Sequence, residues 1–139
     1  MNTEGQRTVT ILLAEDEECL QFLAAHTLRS MGLEVLTASS AEEALRLWEC
    51  HADEIALLFT DIVMPGLLSG FDLAEKIRGE RPALPLIFSS GYNGALDHNC
   101  PALRDGITYL PKPYRQSELS ALISTMLPRD PSPTRVLAA

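Results

Sequence analysis

The chain has 139 residues, enough for one domain with a buried core, and 46% of them are hydrophobic, which excludes disorder by composition. Nineteen Asp and Glu against eleven Lys and Arg leave a net charge of −8, which repels phosphate backbones and argues against direct nucleic-acid binding. No apolar run reaches the length of a membrane span, residues 1–7 are polar, and Cys19, Cys50 and Cys100 form an odd, scattered set. The expectation is therefore a cytoplasmic chain with free thiols and no membrane insertion.

Residues 1–7 are expected to be a flexible N-terminus. Residues 9–14 (VTILLA) are apolar and β-branched, as a strand buried on both faces requires. An acidic stretch follows at 15–18. Then Leu20, Leu23, Ala24, Thr27, Leu28 and Met31 recur at helical spacing until Gly32 ends the helix. A brief second strand spans 33–37. Ser40 with Glu43 forms a capping-box pattern before a helix whose core face is Ala41, Ala44, Leu45 and Trp48. A third buried strand, 55–60, runs into Asp61. Pro65, Gly66, Ser69 and Gly70 mark a loop, and Ser69 with Asp72 can cap a helix that buries Leu73, Ala74 and Ile77.

The fourth strand is expected at 84–89 and the fifth at 107–110. Between them, residues 91–106 hold three Gly, two Asn and Pro101, so any helix there is short or irregular. Leu119, Leu122, Ile123 and Met126 line a last amphipathic helix, stopped by Pro128. Residues 128–139 read as a Pro-rich tail or linker. Strand and helix thus alternate five times, which predicts a parallel sheet with helices on both faces. Such sheets bind ligands beyond the carboxyl ends of their strands.

The polar residues fall at those ends. Glu15 and Asp16 follow the first strand, Asp61 the third, Ser89 and Ser90 close the fourth, and Lys112 follows the fifth. Each alone has an ordinary explanation: a turn-forming Asp, a solvated acidic helix start, a loop Lys-Pro. Together they form a rim of three carboxylates, a hydroxyl and an ammonium. Three adjacent carboxylates call for a compensating cation, and oxygen-only ligands favour Mg²⁺. A lysine and a serine hydroxyl suit phosphoryl oxygens. The set fits phosphoryl transfer to a carboxylate nucleophile.

On the stretches ILLAEDE (11–17), FTDIVMPG (59–66), SGFDLAEKIR (69–78), PLIFSSGYN (85–93) and YLPKPY (109–114), the chain resembles the receiver domains of bacterial two-component response regulators. The likeness is greatest to receivers attached to hybrid histidine kinases. It covers residues 8–127 and implies an α/β, flavodoxin-like (βα)5 doubly wound parallel sheet of strand order 2-1-3-4-5. It further implies that Glu15 and Asp16 hold Mg²⁺, and that Asp61 is both phosphoacceptor and metal ligand. Val63 would lend its backbone carbonyl to the metal. Ser90, followed by the small Gly91, would be the phosphoryl-binding hydroxyl, and Lys112 the phosphate-pairing lysine before a cis peptide to Pro113. Tyr109 would be the switch aromatic.

By the same resemblance, the phosphoryl group comes from a sensor histidine kinase or a histidine phosphotransfer domain. The chain would be a signalling receiver that assists its own Mg²⁺-dependent phosphorylation and dephosphorylation, not an enzyme in its own right. Apolar Val63 cannot orient an attacking water, so hydrolysis is expected to be slow. With only a short tail after Pro128, output is expected through protein contact, or the chain is part of a parent hybrid kinase. The family's fourth helix would fall near residues 95–104, where Asn99 and Pro101 intrude, which puts the usual signalling face in question.

Other readings fare less well. A flavin-binding flavodoxin needs a hydroxyl- and glycine-rich loop where this chain has Glu-Asp-Glu-Glu. A phosphatase of the haloacid dehalogenase type needs an acid two residues after the strand-end Asp, where Val63 stands. A phosphorylation-independent pseudo-receiver would lack one of the acids or Lys112, and all are present. Cys50–His51 and His98 near Cys100 do not make a four-ligand zinc set. His26 is expected to be partly exposed and is not placed as a kinase's phosphorylated histidine.

Overall fold

The computed structural model describes residues 9–91 and 106–127. The expectations for residues 1–7, for a short or irregular helix near 95–104 and for the tail at 128–139 lie outside these residues. Five strands are described: β1 Thr10–Ala14, β2 Glu34–Ala38, β3 Ile55–Asp61, β4 Leu86–Ser90 and β5 Ile107–Pro111. Four helices are described with them: α1 Glu18–Ser30, α2 Ala41–His51, α3 Gly70–Glu80 and α4 Gln116–Met126. All strand pairings are parallel, in the order β2-β1-β3-β4-β5 that the resemblance implies.

Side chains alternate across each strand, so the sheet feeds two separate cores. On one face Leu12, Leu58, Leu86 and Phe88 meet Ala44 and Trp48 of α2 and Leu73 and Ile77 of α3. On the other, Ile11, Leu13, Leu57, Phe59 and Ile87 meet Ala24 and Leu28 of α1 and Leu119 and Ile123 of α4. Burial on both faces explains why β1, β3 and β4 read as near-continuous apolar runs.

Three local expectations need correction. Along α1, Ala24 and Leu28 are buried and Leu20, Thr27 and Met31 half-buried as expected, but Leu23 is exposed and Ala25 is buried instead. Gln21 lies on the inward side, where its amide reaches the carbonyl of Glu15 at 2.8 Å and that of Ala38 at 3.2 Å. A polar residue that satisfies buried carbonyls is invisible to an apolar count. The Ser40 cap forms, with Glu43 N donating to Ser40 Oγ at 3.1 Å, but the Glu43 carboxylate takes Ser39 N rather than Ser40 N. At α3 the reciprocal box forms as expected: Asp72 N donates to Ser69 Oγ and Ser69 N to Asp72 Oδ2. β4 begins at Leu86 rather than 84, because Pro85 has no N–H for the ladder and Leu84 N turns back to Arg81 O.

Candidate functional site

The carboxyl ends of β1, β3 and β5 bring the predicted residues together. Glu15, Asp16 and Asp61 each offer a carboxylate oxygen, all within 4.8 Å of one another. Glu15 and Asp61 are buried and Asp16 is exposed, so the group is open to solvent on one side. Lys112 bridges the buried pair, its Nζ 3.0 Å from Glu15 Oε1 and 3.1 Å from Asp61 Oδ2.

Backbone hydrogen bonds hold the strand ends that carry Glu15, Asp61 and Lys112. Glu15 N donates to Ala38 O at 2.9 Å, Glu17 N donates to Glu15 Oε2 at 3.0 Å, and Gln21 clasps the Glu15 carbonyl. Beyond the strand ends, Ile62 N reaches Ser89 O at 2.9 Å and Lys112 N reaches Ser90 O at 3.1 Å, which extends the sheet pairing into the site. Gly70 N donates to Ile62 O at 2.8 Å and closes the loop after β3. A Cβ at Gly70 would collide with the Asp61 carbonyl oxygen, so only glycine lets α3 start this close to the backbone at the end of β3. The Lys112-Pro113 peptide is cis, as expected.

Burial raises the Asp61 carboxyl above its ordinary range, hydrogen bonding to Lys112 opposes the rise, and the charge on Asp16 adds to it. Glu15 is likewise raised, chiefly by burial, against hydrogen bonds from the Glu17 amide and Lys112. Burial would lower Lys112, but its hydrogen bonds to Glu15 and Asp61 outweigh that and raise it. Three carboxylates against one ammonium leave two negative charges in a confined rim. That balance, an all-oxygen donor set and one open side fit a hard divalent cation such as Mg²⁺.

The remaining predicted residues lie around this centre. Val63 is 61% exposed on the loop after β3, two residues beyond Asp61. Ser90 is buried at the end of β4, and the Tyr109 hydroxyl, half-buried on β5, donates to the Ser90 carbonyl at 3.0 Å. Ser89 is in register with Asp61 and buried, yet its Oγ finds no hydrogen-bond partner among the described residues. A buried hydroxyl without a partner costs about 1–3 kcal/mol. Cys50 and His51 do not join any metal-ligand group among the described residues, and His26 is exposed, its ring 6.2 Å from that of Phe22.

Sequence reasoning missed Gln21, Gly70 and Tyr114 as neighbours of the site. Gln21 left a trace as the polar residue one turn before Ala24 and Ala25. Gly70 reads in the sequence as loop punctuation. Tyr114 packs on the α1–α4 side, its ring 6.1 Å from that of Phe59.

A family model described as the response regulator receiver domain matches residues 11–124. The sensor kinase CckA of Brucella abortus is 33% identical over 126 residues, which cover 90% of this chain and 13% of that kinase. The chain spans half or less of the length of several other curated relatives. Among solved structures, the receiver domain from a hybrid histidine kinase CckA is 38% identical with a TM-score of 0.73, covering 86% of this chain and 99% of that one. A receiver domain protein from Clostridium thermocellum is 34% identical with a TM-score of 0.75, covering 85% and 93%.

Proposed function

Since the chain belongs to the response regulator receiver domain family of two-component signalling, we propose that Asp61 is its phosphoacceptor. An Asp61 carboxylate oxygen attacks the phosphorus of a phosphohistidine on a partner protein. The phosphorus–nitrogen bond breaks, and the imidazole leaves with its electron pair and takes up a proton. The observation that carries this reading is the Lys112 ammonium held between Glu15 and Asp61 beside an exposed Asp16.

Lys112 is placed to follow the phosphoryl oxygens once Asp61 is modified. Ser90 is the hydroxyl that donates to them, and Tyr109, bonded to the Ser90 carbonyl, moves with it as the switch. Glu15, Asp16, Asp61 and the Val63 carbonyl would hold Mg²⁺. The ion supplies neutralisation of the charge that spreads over the transferring group. The donor is a sensor histidine kinase or histidine phosphotransfer domain, of which a parent hybrid kinase is one setting, and output is by protein contact in the cytoplasm. Among the described residues no helix is long and apolar enough to cross a membrane.

Incubation with acetyl phosphate and Mg²⁺, followed by intact mass, tests this. The expected result is one added phosphoryl group on the native chain, none on Asp61→Asn and none in excess chelator. An unlabelled native chain, or full labelling of Asp61→Asn, overturns the assignment, and labelling that survives chelator removes the metal from it. With no side chain at Val63 able to orient water, the label should persist for minutes or longer, and decay within seconds would contradict that role.

A further inference from the structure

Between Ile62 and Gly70 the chain makes a loop that carries Val63 and is closed at its base by Gly70 N donating to Ile62 O. Its far side is not packed: Leu67 is 93% exposed and Val63 61%. Met64, between them, is buried in the core beside α2 and α3, and at the exposed apex a polar side chain from another element reaches the loop backbone. Glu42, in the first turn of α2, accepts a hydrogen bond from Leu67 N at Oε2, 2.9 Å away. Gly66 makes room for this approach, since a Cβ there would stand 2.6 Å from Glu42 Oε1, and its φ of +105° is one that L side chains rarely adopt. Hydrogen bonds from Glu42's own amide, from Leu67 N and from Leu68 N hold the carboxyl below its ordinary range.

We propose that Glu42 is a positioning residue of the metal site: its carboxylate pins the 66–68 segment and thereby fixes the loop that presents the Val63 carbonyl. Glu42 touches neither the ion nor the phosphoryl group. Gly70 N at the base and the buried Met64 side chain hold the half of the loop next to Val63, and the Glu42 contact holds the exposed half at 66–67, so that the segment after Val63 is fixed on both sides. A loop free at its apex must be ordered when the ion binds, and that ordering entropy weakens binding.

The inference rests on the proposed Mg²⁺ site, and the test separates the two. Mg²⁺ affinity is measured by calorimetry on the native chain, Glu42→Ala and Glu42→Gln, with amide exchange at Leu67 followed by NMR in metal-free protein. Both variants remove one negative charge, but Gln keeps an acceptor. Glu42→Ala is expected to weaken Mg²⁺ by about threefold or more, less than the tenfold or more seen for partners that touch a ligand directly. The Leu67 amide should exchange several-fold faster, and Glu42→Gln should restore most of both. The rate of labelling by acetyl phosphate at saturating Mg²⁺ should be unchanged. Equal weakening in Ala and Gln would mean long-range charge and overturn the clamp, as would native affinity in Glu42→Ala. A native chain that takes up no Mg²⁺ would instead sink the site itself and the clamp with it.

Discussion

Tyr114 stands two residues beyond Lys112 with its ring against the α1–α4 core. Burial raises its phenol well above the ordinary value of 10.0, and the negative charges of Glu15 and Asp61 push the same way. The linkage has a definite sign. In the unfolded chain the phenol ionises near 10, while in the folded chain it keeps its proton to higher pH. The stability tied to this group is therefore complete below pH 10 and is lost as pH rises through the folded value. Tyr114→Phe, which cannot ionise, should unfold at more alkaline pH than the native chain when circular dichroism is followed upward from pH 9. Identical alkaline midpoints would show that folding does not raise the phenol's ionisation. The same burial and charge act on Glu15 and Asp61, which is why their arrangement calls for a cation.

At the scale of the element, α3 shows how one glycine can serve the site and another serve nothing. Gly70 begins the helix with backbone atoms of Asp61 and Ile62 where its Cβ would go, and backbone cannot step aside. Gly79, near the other end of the same helix, has open space around it. Gly70→Ala should therefore cost about 1–3 kcal/mol by overpacking and slow labelling of Asp61 by shifting β3's end. Gly79→Ala should gain roughly 0.5–1 kcal/mol from helix propensity and leave labelling alone. Denaturant melts of the two variants decide it, and a Gly70→Ala protein as stable as the native chain would contradict the close approach.

Across the whole molecule, stability and chemistry occupy opposite ends of the sheet. At the amino-terminal end of β3, Arg81 donates to Ala52 O at 2.6 Å and to Ile55 O at 2.9 Å, and its guanidinium lies 5.5 Å from the Trp48 ring centroid. The Trp48 indole donates to Glu80 at 2.8 Å, so α2, α3 and β3 are joined there. Arg81→Ala leaves two carbonyls without these partners and should cost about 2 kcal/mol. Because this latch is at the far end from Asp61, the rate of labelling under folding conditions should stay at the native value. A large loss of labelling in a variant that remains folded would mean that the two ends are coupled.

The order of strands and helices was legible in the chain because buried parallel strands are apolar runs and helices carry a 3.6-residue stripe. Asp61, Glu15, Asp16 and Lys112 were legible for a related reason: the topology sends every strand's carboxyl end to one rim, so strand-end polar residues must meet. The start of β4 shifted by two residues where Pro85 interrupts the ladder, and α1 buries Ala25 where Leu23 was expected. Sequence by itself determined which residues gather at the rim. Only the tertiary structure decided what supports them — Gln21 on the Glu15 carbonyl, Gly70 against Asp61, Glu42 on the loop after β3. Each of these contacts is made to backbone atoms, and backbone carries no residue identity for a sequence to display.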